Sequence, residues 1–310
     1  ALVVGKDVRQ QQSLDEAMIK ADGTPNKGRF GANAILAVSL AASRAAALSR
    51  KIPLYAWIRE CFSLNYSDWL LPAPMFNVIN GGKHADSGLD VQEFMVVPTG
   101  AATFAEALRC GAEIYQTLKK DLAAMNMVTA VGDEGGFAPH LKDHAQALDV
   151  LKKAVEKAGA AGSTRLAIDA ASSEFFKDGA YAFEKKARTA AQMAAIYADW
   201  VKRFGVVSLE DPLAENDWAG WKTLTEMLGS SARLVGDDLF VTNPQRLARG
   251  IKEGVANSIL IKLNQIGTLS ETVQTVLEAH KAGYTSIISH RSGETEDAYI
   301  SDLAVALNAG

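Results

Sequence analysis

From residue 163 onward the chain repeats one pattern, and that repeat constrains the fold more than any other feature. A short apolar segment ends in a polar residue, a loop follows, and an amphipathic helix stops at glycine. The segments are "RLAID", "VVSLE", "RLVGD", "SILIK" and "SIISH", ending on Asp169, Glu210, Asp237, Lys262 and His290. Short runs rich in Val, Ile and Leu read as buried strands. The helices between them carry their own punctuation. Thr189 with Gln192 and Thr268 with Glu271 have capping-box spacing. Asn243-Pro244 suits an N-cap followed by proline in the first turn. Gly205, Gly229, Gly254 and Gly283 stand where helices end. Serial βα units predict an α/β fold with a parallel sheet, either doubly wound or closed into a barrel.

Alternation within the strands says where the polar ends point. In "SILIK", Ile259 and Ile261 share one face, and Ser258, Leu260 and Lys262 share the other. The apolar face would meet the helices, and the mixed face would point inward with its charge at the end. Five successive strands then aim a functional group at one place, at their C-terminal ends. In a TIM barrel that is where catalysis occurs.

The first part of the chain reads differently. Residues 30–50, "FGANAILAVSLAASRAAALSR", form an Ala-rich, mostly buried helix, and "KIPLYAWIRE" starts a second one at proline. "LLPAPMFNVINGG" marks a boundary, with two prolines, a strand and a Gly-Gly turn. Two domains are expected, residues 1–70 and residues 71–310. The composition, 48% hydrophobic and 22% charged, is that of an ordinary globular protein. A net charge of −4 leaves no basic footprint for nucleic acid. No apolar run is read as reaching the ~18 to 20 residues of a membrane helix. No signal-peptide pattern stands at the start, and Cys61 and Cys110 fit no metal or disulfide framework. A reducing cytoplasm is the expected location. The chain begins at Ala1 without Met and ends on "ALNAG", so both ends read as cuts.

Asp169, Glu210 and Asp237 are three carboxylates at successive strand ends. If they converge, their mutual repulsion makes a hard divalent cation such as Mg²⁺ the natural occupant. The plainer reading is that each acid caps the helix after its strand. Lys262 comes next. Beside a dication its ammonium form is disfavoured, so a free amine could take a proton from carbon. The plainer reading is a lysine salt-bridged to the acids. "AVGDEGGFAP" sets Asp133 and Glu134 between glycines; Glu134 suits a general acid, and a polar turn suits it equally. "NGGKHADSGLDVQEF" carries His84, Gln92 and Glu93, and "SHRSGETED" offers His290, Arg291 and Ser292 to a phosphate or carboxylate.

"GANAILAVSLA", "NGGKHADSGLDVQEFMVVPTGA", "VGDEGGFAP", "LVGDDLFVTNP", "ILIKLNQIGTLSET" and "SHRSGETEDAYISDLAV" together resemble the enolase family over essentially the whole chain. The resemblance implies a ββαα(βα)6 TIM-like barrel beside the helical remainder of an N-terminal capping domain. It implies a Mg²⁺-dependent lyase of glycolysis interconverting 2-phosphoglycerate and phosphoenolpyruvate. Asp169, Glu210 and Asp237 match the metal ligands, with Asp237 favoured over Asp238 in "GDDL". Lys262 matches the base at C2, and Glu134 matches the acid at the C3 hydroxyl, with Glu93 beside it. His84, Gln92, Glu93, His290, Arg291 and Ser292 match substrate-binding positions. The family pattern also has a sheet and a mobile loop before Ala1, and a last barrel strand bearing a second lysine after Gly310. A truncated, inactive relative acting by binding is therefore the alternative. A racemase or cycloisomerase of the same superfamily would share the three acids but not "SHRSGETED" or "GDEGG". A homodimer is expected, cytoplasmic or also at the cell surface, where some members bind other proteins.

Overall fold

A computed structural model describes residues 2–310. In chain order the elements are α1 (Gln11–Asp22), α2 (Ala32–Arg50), α3 (Leu54–Cys61), β1 (Phe76–Asn80), β2 (Glu93–Val97), α4 (Phe104–Ala124) and α5 (His144–Lys157). Next come β3 (Arg165–Asp169), β4 (Phe176–Lys177), β5 (Ala180–Phe183), β6 (Lys186–Arg188), α6 (Ala190–Phe204), β7 (Val206–Glu210), α7 (Trp218–Leu228) and β8 (Arg233–Gly236). The last are α8 (Pro244–Glu253), β9 (Ser258–Ile261), α9 (Leu263–Ile266), α10 (Leu269–Lys281), β10 (Thr285–Ile288) and α11 (Tyr299–Leu307). All five expected strands form within a residue or two of the predicted limits. The chain divides into two compact units, one of residues 73–239 and 252–257, the other of residues 2–72, 240–251 and 258–310.

The first unit is built on a sheet with β1, β2, β3, β7 and β8 in that order. β1, β2 and β3 pair antiparallel, and β3, β7 and β8 pair parallel. Two antiparallel strands, two helices and then βα units follow the expected ββαα(βα) order. Phe94, Ile168, Leu209 and Leu234 are fully buried along it, each contributing about 1.5–3 kcal/mol of hydrophobic stabilisation. The first βα step is longer than the rest because a small sheet, β4-β5-β6, is inserted after β3. Nothing in the strand-end pattern announces it. Its Tyr181 and Phe183 are fully buried, and Phe183 packs against Trp200 of α6. Thr189 and Gln192 make the expected capping box at the start of α6.

The second unit contains α1 to α3, α10, α11 and the parallel pair β9–β10. α2 is long and apolar enough to cross a membrane by length and composition. This departs from the expectation that no run reaches that length. Alanines make the helix apolar, but it is not the mostly buried helix expected over residues 30–50: Ile35, Ser39, Ser43, Ala46 and Ala47 are buried, and the rest of the helix is half-buried or exposed. Ser39 and Ser43 are fully buried. Ser39 takes hydrogen bonds from Gln11 and from the Leu269 amide, and Ser43 pairs with the Tyr299 hydroxyl. The capping box expected at α10 forms by one arm. The Thr268 hydroxyl accepts the Glu271 amide, while the Glu271 carboxylate takes bonds from the Thr268 hydroxyl and the Lys27 ammonium. A charged partner outcompetes the backbone N–H because charge-assisted bonds are stronger.

Candidate active site

The register of the sheet brings acids together. Glu93 on β2 pairs with Asp169 on β3, and Asp169 pairs with Glu210 on β7. The start of β2 and the ends of β3 and β7 thus set three carboxyls in a row. Asp237 follows β8 directly, and Asp169, Glu210 and Asp237 are all at least nine-tenths buried. One Asp169 oxygen accepts the Ala171 amide at 2.9 Å, and the other accepts the Gln92 side-chain amide at 3.0 Å. Gln92, expected to touch substrate, is engaged here in orienting Asp169.

One acid of this cluster escapes the sequence reading. Asp211 follows Glu210 and is 3% exposed. Its two carboxylate oxygens accept the Asp237 amide at 3.0 Å and the Asp238 amide at 2.7 Å. Asp211, Asp237 and Asp238 each present an oxygen within 4.8 Å of the others. Burial, and then the charges of Asp237, Asp238 and Asp169, push the Asp211 carboxyl well above the ordinary carboxylate range. The donors are hard oxygens in a cramped, buried space, and a hard divalent cation would relieve their repulsion. The three oxygens close enough to share such an ion are those of Asp211, Asp237 and Asp238, with the buried Asp169 and Glu210 at the ends of the neighbouring strands. The only sequence signal for Asp211 is a second acid beside a strand-terminal one.

A second group forms from three separate segments. His84 ends the turn after β1, Glu93 begins β2, and Glu134 lies on the "GDEGG" loop. The His84 Nδ1 is 3.5 Å from Glu93 Oε1 and 3.8 Å from Glu134 Oε2. The Glu134 side chain is 7% exposed. The loop reaches His84 through backbone. The Asp133 amide donates to the His84 carbonyl at 3.1 Å, and a Cβ on Gly132 would stand 2.5 Å from that oxygen. Only glycine permits this approach. Tyr115 holds the other side of the loop by its hydroxyl, which donates to the Gly135 carbonyl at 2.8 Å.

In the other unit, Lys262 follows β9 and is half-buried. β9 and β10 run in register, and the Ser289 amide donates to the Ile261 carbonyl at 3.0 Å. The loop with His290, Arg291 and Ser292 therefore leaves its strand beside Lys262, with all three residues exposed. The Arg291 guanidinium donates to Asn264 Oδ1 on α9 at 2.6 Å. Asn264 was not among the predicted residues; an amide on a one-turn helix has no distinctive sequence signal.

Residues 68–310 match the family described as enolase, C-terminal TIM barrel domain, and residues 1–58 match the enolase N-terminal domain. The chain is also 57% identical over 308 residues to the enolase of Elusimicrobium minutum (strain Pei191). That alignment covers 99% of this chain and 73% of the relative. Of the two folds that the strand repeat left open, the matching domain has the barrel, and the family is one of metal-dependent lyases that act on a small molecule. Agreement at this level along nearly every residue shows that the chain belongs to the enolase family.

Proposed function

We propose that this lyase dehydrates 2-phosphoglycerate reversibly to phosphoenolpyruvate with Mg²⁺ as its metal. The observation that carries this reading is the convergence of buried carboxyls at the ends of β3, β7 and β8. Asp169, Glu210 and Asp237 would hold the ion, and bound there it supplies positive charge for the enolate that forms from the substrate carboxylate. Lys262 takes the C2 proton as a neutral amine. Glu134 delivers a proton to the departing C3 hydroxyl, with Glu93 and His84 in its immediate surroundings keeping that network polar. Gln92 orients Asp169. His290, Arg291 and Ser292 bind the anionic ends of the substrate, Arg291 by its fork of donors. We place the enzyme in the cytoplasm as a homodimer, with residues 1–70 as the capping domain and residues 71–310 as the barrel.

The test is the appearance of the enol product from 2-phosphoglycerate, followed by ultraviolet absorbance with and without Mg²⁺. Metal-dependent turnover lost in Lys262→Ala is the expected result. Absence of turnover together with intact Mg²⁺ binding would instead support the binding-only alternative. Sedimentation of the protein in solution checks the dimer.

A further inference from the structure

Two consecutive β-branched residues, Val241 and Thr242, have left-handed backbone, with φ of 45° and 53°. β-branched residues almost never adopt this region, because Cβ crowds the following carbonyl. Such conformations persist where the surroundings over-determine them, and they gather at functional sites. Thr242 is fully buried, and its hydroxyl does two things. It accepts the backbone N–H of Lys262 at 2.9 Å and donates to the Gln265 side-chain carbonyl at 2.8 Å. The Thr242 carbonyl in turn accepts the hydroxyl of Thr275, on α10, at 3.3 Å.

Lys262 stands at the junction between β9 and α9. α9 is a single turn of four residues, and a helix that short has no stability of its own. No side chain of its own caps it at Lys262. The Thr242 hydroxyl spans that turn, holding its entry at Lys262 and its body at Gln265. The strained backbone is what turns this hydroxyl toward the Lys262 amide.

We propose that Thr242 is a positioning residue for Lys262, fixing the backbone from which the amine reaches substrate. The inference rests on the reading of Lys262 as the base. A displacement of about 1 Å at a reacting group costs up to ~10²-fold in rate, so a lost tether is felt in turnover before it is felt in substrate affinity.

The test compares Thr242→Val, Thr242→Ser and Lys262→Ala in the whole protein. Valine keeps the β-branched shape and removes the hydroxyl, whereas serine keeps the hydroxyl. Thr242→Val should lower kcat about tenfold while KM for 2-phosphoglycerate changes less than about twofold. It should also speed hydrogen exchange of the Lys262 amide. Thr242→Ser should restore both. Unchanged Lys262 amide exchange, or unchanged kcat, in Thr242→Val would overturn the proposal. So would a serine variant as impaired as the valine variant, which would mark a packing role. Lys262→Ala separates the two readings. If it still exchanges the C2 proton with solvent, the base assignment fails, whereas the amide measurement continues to report on the Thr242 tether alone.

Discussion

Gly132→Ala tests how the "GDEGG" loop places Glu134. The added Cβ would lie 2.5 Å from the His84 carbonyl oxygen, 2.9 Å from Asn80 Cβ and 3.0 Å from Asn80 Oδ1. Ordinary contact begins near 3.4 Å, so the loop or the His84 backbone must yield by about 0.9 Å, against partners that are backbone or fully buried. Asn80 is 0% exposed and cannot move aside. The yielding segment carries the Asp133 amide bond to His84 and the Gly132 amide bond to Gly136, at 3.1 and 2.8 Å. Overpacking of this kind destabilises by about 1–3 kcal/mol. Glu134 lies two residues along and would shift with its loop, lowering turnover by ~10- to 100-fold. Gly162→Ala is the matched control, because a Cβ there meets nothing within 4 Å and its φ is ordinary. Urea unfolding gives the stability change, and product formation under saturating substrate gives the rate. A Gly132→Ala protein with the stability and turnover of the Gly162→Ala control would refute the close-approach argument.

Asp237→Asn should weaken Mg²⁺ binding at least tenfold by calorimetric titration, since it removes a charge from a hard-oxygen site; unchanged affinity would move the ligand role to Asp238 or Asp211. Glu134→Gln should slow loss of the C3 hydroxyl more than exchange of the C2 proton, and equal losses by isotope exchange would make Glu134 a positioning group. His280 pairs with Ser286 at 2.8 Å, and burial holds its imidazole below the ordinary 6.5. The unfolded chain therefore binds a proton there before the native one does, so this stability is present above about pH 6.5 and lost as pH falls below it. His280→Gln should flatten the loss of stability between about pH 7 and 5 in urea titrations; a slope identical to wild type would show that His280 is not the group responsible.

Much of the site was legible because it depends on local rules. A strand's period of two puts alternate residues on one face, so the terminal residue of each apolar run declares its direction without a partner. That is how Asp169, Glu210, Asp237 and Lys262 stood out. Spacing of helix caps and glycines likewise needs only a few neighbouring residues. The repeat of such units was enough to predict a parallel sheet, doubly wound or closed into a barrel, and the family resemblance supplied the choice of barrel.

What depended on distant partners was not legible. Asp211 matters because the register of β7 with β8 sets its carboxylate against the Asp237 and Asp238 amides. Glu271 carries a capping-box signature, yet Lys27 draws its carboxylate elsewhere. His84 and Glu134 meet only because a glycine backbone passes through space that any side chain would fill. Thr242 lies in the loop before the Asn243-Pro244 cap, and nothing in the sequence marks its left-handed backbone. The sequence by itself determined which strands form and which charges stand at their ends, because those follow from interactions a few residues long. Only the tertiary structure decided which of those charges share a site, and which silent neighbours hold them there, because both follow from contacts between segments far apart in the chain.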